Sequence, residues 1–279
     1  MSKVQHHEIQ SGKITWHVHV AGTGSHCIFA FHGFNRSYED LLSLHHHLDG
    51  SFRIIAVSLF FHGSQFERLE DTDAFTPNEL TVAFSLLVST FTDGKYAVLG
   101  HSFGGRLALN MVEFGPSGLK QLFLLAPDAL RYHPGYRFLT GTRLGRYLMG
   151  NFKKDPYRVI LLIKLFGKLG IYSQQTARFF INQITHPKVR TLVYDSWMTH
   201  RLTIPDLQQV AARINNDQIR TTLVFGSRDT VIPIRQAIRF KKKIPELGQL
   251  HILDSGHRLY EKTQDLANIL MEEKEKATA

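Results

Sequence analysis

Apolar and polar residues alternate through residues 4–9 and again through 14–20, on either side of Ser11-Gly12, a pattern that predicts a β-hairpin. After the turn Ala21-Gly22-Thr23-Gly24, residues 27–31 are apolar without a break, as in a strand covered on both faces. The pattern then predicts a helix over 38–48, a strand over 52–59, a helix over 77–91 and a strand over 96–100. Leu107, Ala108, Leu109, Met111 and Val112 follow at helical spacing, and residues 119–126 make the next strand. The strand rhythm stops between Arg131 and Ile204, where the chain is helical and punctuated by Gly135, Gly141, Gly145, Gly150 and Pro156. It resumes with a helix over 206–214, strands over 221–225 and 250–253, and a final helix over 259–274. Strands alternating with helices predict an α/β fold, a mostly parallel twisted sheet of about eight strands flanked by helices. Its core would comprise residues 1–130 and 205–279, interrupted by a helical insertion over 131–204.

The 279 residues, 43% of them hydrophobic, suffice for such a core. No apolar run is long enough to cross a bilayer, and Met1-Ser2-Lys3-Val4-Gln5-His6-His7 lacks the apolar centre of a signal peptide. The single cysteine, Cys27, lies in an apolar strand and fits a reducing compartment, so a cytoplasmic location is expected. The chain carries a formal charge of +9, and the excess is local: nine basic residues against Asp155 between Arg131 and Gly170 give +8. A solvated basic face accounts for this simply; an anionic head group or an anionic lipid surface is the sharper reading. Within that segment residues 159–172 are apolar except for Lys164 and Lys168, which suits a helix covering a pocket or one resting on lipid. Despite the basic balance, no nucleic-acid-binding motif is present. The run His45-His46-His47 falls on consecutive helical positions that diverge, so it reads as solvated rather than metal-binding.

The candidate chemistry centres on Gly100-His101-Ser102-Phe103-Gly104-Gly105, where an apolar strand turns abruptly into a helix through a serine. Such a turn holds the serine in strained backbone angles, lifts its hydroxyl above the sheet edge and requires neighbours without bulk. A serine hydroxyl needs a base to take its proton and a third group to hold that base. Asp229 and His257 each follow a late strand, which puts them on the same sheet edge as Ser102. Asp254 and Asp128 compete with Asp229 for the carboxylate role. His101 is expected to pack beneath the turn.

Together, His32-Gly33-Phe34, Gly100-His101-Ser102-Phe103-Gly104-Gly105, Gly226-Ser227-Arg228-Asp229-Thr230-Val231-Ile232-Pro233 and Ser255-Gly256-His257 make the chain resemble the α/β-hydrolase fold superfamily over nearly its whole length. The resemblance implies Ser102 as nucleophile, His257 as general base and then acid, and Asp229 as the orienting carboxylate. It also implies an oxyanion hole from the backbone N–H groups of Phe34 and Phe103, and a helical cap that shapes the substrate pocket. Ser58-Leu59-Phe60-Phe61 before His62-Gly63 departs from the family's usual Asp and Pro-Gly, so the substrate does not transfer by analogy.

The expected reaction is hydrolysis of a small-molecule ester or thioester through an acyl-enzyme, calling for no cofactor and no metal. An apolar acyl group is expected from the aromatic lining residues, and an anionic head from the basic insertion. The alternatives are a carbon–carbon hydrolase, lyase or perhydrolase of the same fold, or a slowly turning ligand-binding or signalling protein.

Overall fold

The amino-terminal alternation folds as the antiparallel strands β1 (Gln5–Ser11) and β2 (Ile14–Ala21), closed by a turn in which Gly12 adopts φ 59°. Trp16 and Val18 point to one face of the sheet, where the Trp16 ring stacks on Phe84 and its indole N–H donates to the Ala83 carbonyl at 3.2 Å. The computed structural model describes residues 4–62, 74–131, 134–170 and 174–278. Gly63 and Ser64, and Ile171 and Tyr172 at the end of the apolar stretch, lie outside them.

After the hairpin come β3 (His26–Phe31), a single-turn helix α1 (Glu39–Leu42), β4 (Phe52–Val57), α2 (Pro77–Phe91), β5 (Tyr96–His101), α3 (Phe103–Phe114) and β6 (Leu119–Leu125). Helices α4 (Pro134–Gly141), α5 (Arg143–Lys154), α6 (Tyr157–Lys168), α7 (Gln174–Thr185) and α8 (Pro187–Thr199) follow without a strand. The chain ends with α9 (Leu207–Asn216), β7 (Arg220–Gly226), α10 (Arg235–Lys241), β8 (Gly248–Leu253) and α11 (Thr263–Thr278). One eight-stranded sheet has the order β1-β2-β4-β3-β5-β6-β7-β8. The β1–β2 and β2–β4 pairs are antiparallel, and every pair from β4 to β8 is parallel. Parallel pairing puts the loops after β3, β5, β7 and β8 on a single edge, which is what positions the site.

Three boundaries differ from the sequence pattern, each for a local reason. The helix expected over 38–48 is one α-turn followed by a 3₁₀ segment, Ser43–His47. His47 there is tied by its two ring nitrogens to Gln264 and Thr263, and Leu44 is fully buried. The strand expected to reach residue 59 stops at Val57, because the Ser58 N–H donates to the His17 carbonyl and the Leu59 N–H to the His32 ring. The last helix is preceded by a separate 3₁₀ turn, Leu259–Glu261, whose Tyr260 ring lies under the Arg36 guanidinium at 4.4 Å. By contrast α2 begins where the pattern puts it, at Pro77, behind a Thr76–Glu79 capping box.

The chain divides into two compact units: Met1–Leu59, Thr76–Arg131 and Thr203–Ala279 form the first, and Phe60–Phe75 with Tyr132–Leu202 the second. The second unit has its own core of Met149, Phe152, Ile184, Tyr194 and Met198, onto which Val159, Ile160 and Ile163 of α6 pack. The opposite side of α6 turns Tyr157, Leu161, Leu162, Leu165 and Phe166 to solvent, between 39% and 62% exposed. Among the described residues no helix is long and apolar enough to cross a membrane.

Candidate active site

The turn from β5 into α3 is built by strain and close packing. Ser102 has φ 52° and ψ −116°, a conformation that costs a non-glycine residue about 1–3 kcal/mol. The surroundings hold it there: its N–H donates to the Leu125 carbonyl at 2.9 Å, and its carbonyl accepts from Asp128 N–H at 2.7 Å and Gly105 N–H at 2.9 Å. Gly104 is required by contact, since a Cβ there would fall 2.0 Å from the Phe31 carbonyl oxygen.

Two later loops complete a relay. His257 Nε2 lies 2.9 Å from Ser102 Oγ, and His257 Nδ1 lies 2.8 Å from Asp229 Oδ2. The other Asp229 oxygen accepts from the N–H groups of Val231 at 2.8 Å and Ile232 at 3.0 Å, which fixes the carboxylate plane. Gly226 lets the β7 and β8 loops touch; a Cβ there would meet the Gly256 carbonyl oxygen at 2.3 Å. Burial pushes the Asp229 carboxyl up, but the hydrogen bond and charge of His257 and the two backbone donors outweigh it, so its pKa ends below the ordinary value. The Asp229 side chain is 1% exposed and that of His257 22%, so the pair is sheltered on the carboxylate side and open toward the hydroxyl.

Asp229 is therefore the carboxylate that meets His257, and its two rivals sit elsewhere. Asp128 pairs with Arg106 at 2.6 Å, and Asp254 is exposed beside Arg228 at 3.0 Å. Phe103 is the first residue of α3, and Phe34 follows a backbone that passes over the serine, a Cβ at Gly33 falling 3.5 Å from Ser102 Cβ. Their rings meet edge to face with centroids 6.2 Å apart. His101 lies beneath the turn, fully enclosed, with Nε2 3.0 Å from the His257 carbonyl oxygen. A carbonyl only accepts, so His101 donates from Nε2. Two supporting contacts escaped the sequence pattern. His32 Nε2 accepts from Leu59 N–H at 2.9 Å and thereby ties the β3 loop to the end of β4. Arg106, 3% exposed, lies with its guanidinium 4.9 Å from the Phe103 ring centroid and holds Asp128. Arg106, Asn110 and Glu113 recur at i, i+4 and i+7 along α3, a polar stripe that is the available signal for the second.

Burial, with the neighbouring His257 ring, lowers the His101 pKa to about 4, and burial lowers that of His62 to about 4. Both stay neutral in the folded chain while an unfolded histidine protonates near 6.5, so they contribute stability above that pH that is lost as the pH falls through 4. Glu113 acts in the opposite sense. Burial raises its carboxyl to about 7, giving stability below the ordinary value of 4.5 that is lost as the pH rises through 7. The two histidines are expected to outweigh the glutamate, so the urea midpoint should be lower at pH 5 than at pH 7. Glu113→Gln should steepen that fall; a wild-type midpoint equal at the two pH values would contradict it.

Comparison with known proteins bears on the family to which this sheet and site belong. The family model described as "Alpha/beta hydrolase family" matches residues 18–269. The chain belongs to the alpha/beta hydrolase family. The chain is 25% identical over 263 residues to the dihydrolipoyllysine-residue acetyltransferase component of an acetoin cleaving system from Pseudomonas putida, covering 92% of the chain and 65% of that protein. It is 23% identical over 233 residues to an Arabidopsis thaliana protein named "Probable lysophospholipase BODYGUARD 2", covering 74% of the chain and 48% of that protein. The chain thus spans less than two thirds of the length of either relative. In three dimensions it is similar to an esterase from Thermogutta terrifontis, with a TM-score of 0.66, 17% identity and coverage of 99% and 100% of the two chains. That likeness bears on the fold alone.

Proposed function

We propose that this hydrolase cleaves an ester or thioester through an acyl-enzyme on Ser102. The observation that carries the reading is the continuous relay of 2.9 and 2.8 Å from Ser102 through His257 to Asp229. With Asp229 accepting from Nδ1–H, His257 presents an unprotonated Nε2 to the serine hydroxyl, the tautomer a general base needs. Ser102 attacks the acyl carbonyl as its proton passes to His257, and the imidazolium is stabilised by Asp229. The oxyanion forms beside the backbone N–H groups of Phe34 and Phe103, each such donor lowering the barrier by about 3 kcal/mol. His257 then protonates the leaving group, and water repeats the sequence on the acyl-enzyme.

The edge-to-face pair Phe34 and Phe103 favours an apolar acyl group. The charge of +8 between Arg131 and Gly170 favours an anionic head group, and one relative is named a probable lysophospholipase. The exposed apolar side of α6, flanked by the exposed Arg158, Lys164 and Lys168, also suits peripheral contact with anionic lipid.

The deciding experiment combines a fluorophosphonate probe with a substrate panel. The wild type should be labelled and Ser102→Ala should not; labelling that persists in Ser102→Ala would remove the serine mechanism. In the panel, acyl thioesters and lysophospholipids should be cleaved faster than neutral short-chain esters, and the advantage should shrink as salt rises. Equal cleavage of neutral and anionic substrates at every salt concentration would remove the head-group reading. For the lipid contact, phosphatidylglycerol vesicles should sediment the wild type and not Leu161→Asp/Leu165→Asp; equal sedimentation of both would remove it.

A further inference from the structure

The antiparallel hairpin carries chemistry that the relay does not use. Register pairs His6 of β1 with His19 of β2, and Glu8 with His17. Residues two apart on a strand share a face, so all four side chains stand on one side of the hairpin, opposite the side that carries Trp16. They also converge. One ligating atom each from His6, Glu8 and His17 lies within 4.8 Å of the others, and Glu8 Oε1 is 3.2 Å from His17 Nδ1. His19 lies beside this set, its ring centroid 4.9 Å from that of His6 and its other face stacked on Tyr38 at 3.4 Å. His19 is 7% exposed, and its Nε2 is buried with no hydrogen-bond partner among the described residues. A buried imidazole nitrogen without a partner is costly unless something occupies its lone pair or takes its proton.

From this juxtaposition we propose that His6, Glu8 and His17, with His19 as fourth ligand, form a binding site for a divalent transition metal, Zn²⁺ above all. Three imidazoles and one carboxylate are the borderline donors that zinc takes in tetrahedral sites, with bonds of about 2.0–2.2 Å. Donors in such a site stand about 3.4 Å apart. The observed spacing closes to that value by rotation of His6 and Glu8, both exposed, onto the buried His17. The strands are already paired, so binding demands no refolding of the backbone. The metal would act as a cross-strand clamp, holding the edge strand β1 onto β2. Its place is separate from the relay: β2 and β5 are three strand spacings apart, about 14 Å. The neighbouring His45-His46-His47 run does not offer the same convergence. The His45 and His46 rings diverge with centroids 6.0 Å apart, and His47 is bonded to Gln264 and Thr263.

The test is titration of the full chain with ZnCl₂ in competition with a chromogenic chelator. One ion per chain is expected, together with a rise in the thermal midpoint. His6→Gln and Glu8→Gln, both at exposed positions, should each weaken binding by about tenfold or more. The double variant should lose the thermal shift while keeping the far-ultraviolet circular dichroism and metal-free midpoint of the wild type. His46→Gln/His47→Gln and Ser102→Ala should bind zinc as the wild type does. Absence of a one-to-one complex would overturn the proposal. So would an affinity unchanged in His6→Gln/Glu8→Gln, or lost in His46→Gln/His47→Gln or in Ser102→Ala.

Discussion

Replacing Ser102 with alanine is expected to lower kcat by about 10⁶-fold on whichever acyl substrate proves best, with little change in KM. The size follows from the way the three groups act together. Without the hydroxyl, His257 and Asp229 have no proton to move, and what is left is binding and oxyanion stabilisation, about 10³-fold over water. A loss below tenfold would mean that another group attacks the substrate. The same position makes a second, opposite statement about stability. At φ 52° and ψ −116° the backbone of Ser102 is strained, and glycine alone adopts such angles without a steric penalty. Ser102→Gly should therefore be as inactive as Ser102→Ala yet unfold at a higher temperature than it, by about 1 kcal/mol in stability. Chemical denaturation of the three proteins reads this directly: equal stability of the glycine and alanine variants would show that the turn stores no more strain than the unfolded-state entropy of glycine offsets, about 0.4–1 kcal/mol.

Asp229→Asn is expected to lower kcat by about 10⁴-fold while the fold and substrate binding are retained. The aspartate makes three hydrogen bonds, from His257 Nδ1 and from the N–H groups of Val231 and Ile232. An asparagine can keep its oxygen on the two backbone donors, so its amide group then faces His257. That group donates where the carboxylate accepted. The imidazole must answer with an unprotonated Nδ1, which puts its own proton on Nε2, against the serine hydroxyl. The base is then in the wrong tautomer at the right distance. A crystal structure of the variant with an unchanged separation of His257 and Ser102, together with the rate loss, would separate tautomer from geometry. Asp254→Asn, at an exposed carboxylate beside Arg228, should leave kcat within about twofold, as surface substitutions away from such features do.

Much of this arrangement is legible in the chain itself. Parallel strands read as unbroken apolar runs because they are covered on both faces, and residues 27–31 and 96–100 are of that kind. The relay is legible because each of its members follows a strand, and parallel pairing turns position along the chain into position along one edge. Asp229 and Asp128 are not distinguished by the local pattern. Both follow strands, and the difference is that Arg106 holds Asp128, a contact between α3 and the β6 loop that no local pattern reports. The helix over 38–48 failed because tertiary bonds to Gln264 and Thr263, more than two hundred residues away, draw its second half into a tighter turn. The histidine cluster of the hairpin is hidden in the sequence for a related reason. Period-two spacing on each strand is visible in the sequence, but facing pairs exist only once the register is set.

His101 reaches from the last residue of β5 to the main chain of His257, 156 positions later. The hydroxyl-bearing turn and the proton-carrying ring are thereby bolted to a common mount. A displacement of either loop must stretch that bond, so the contact couples the two positions. Loops that choose the substrate can then be exchanged or lengthened while the gap between turn and ring is held, so a new specificity need not be accompanied by retuned proton transfer.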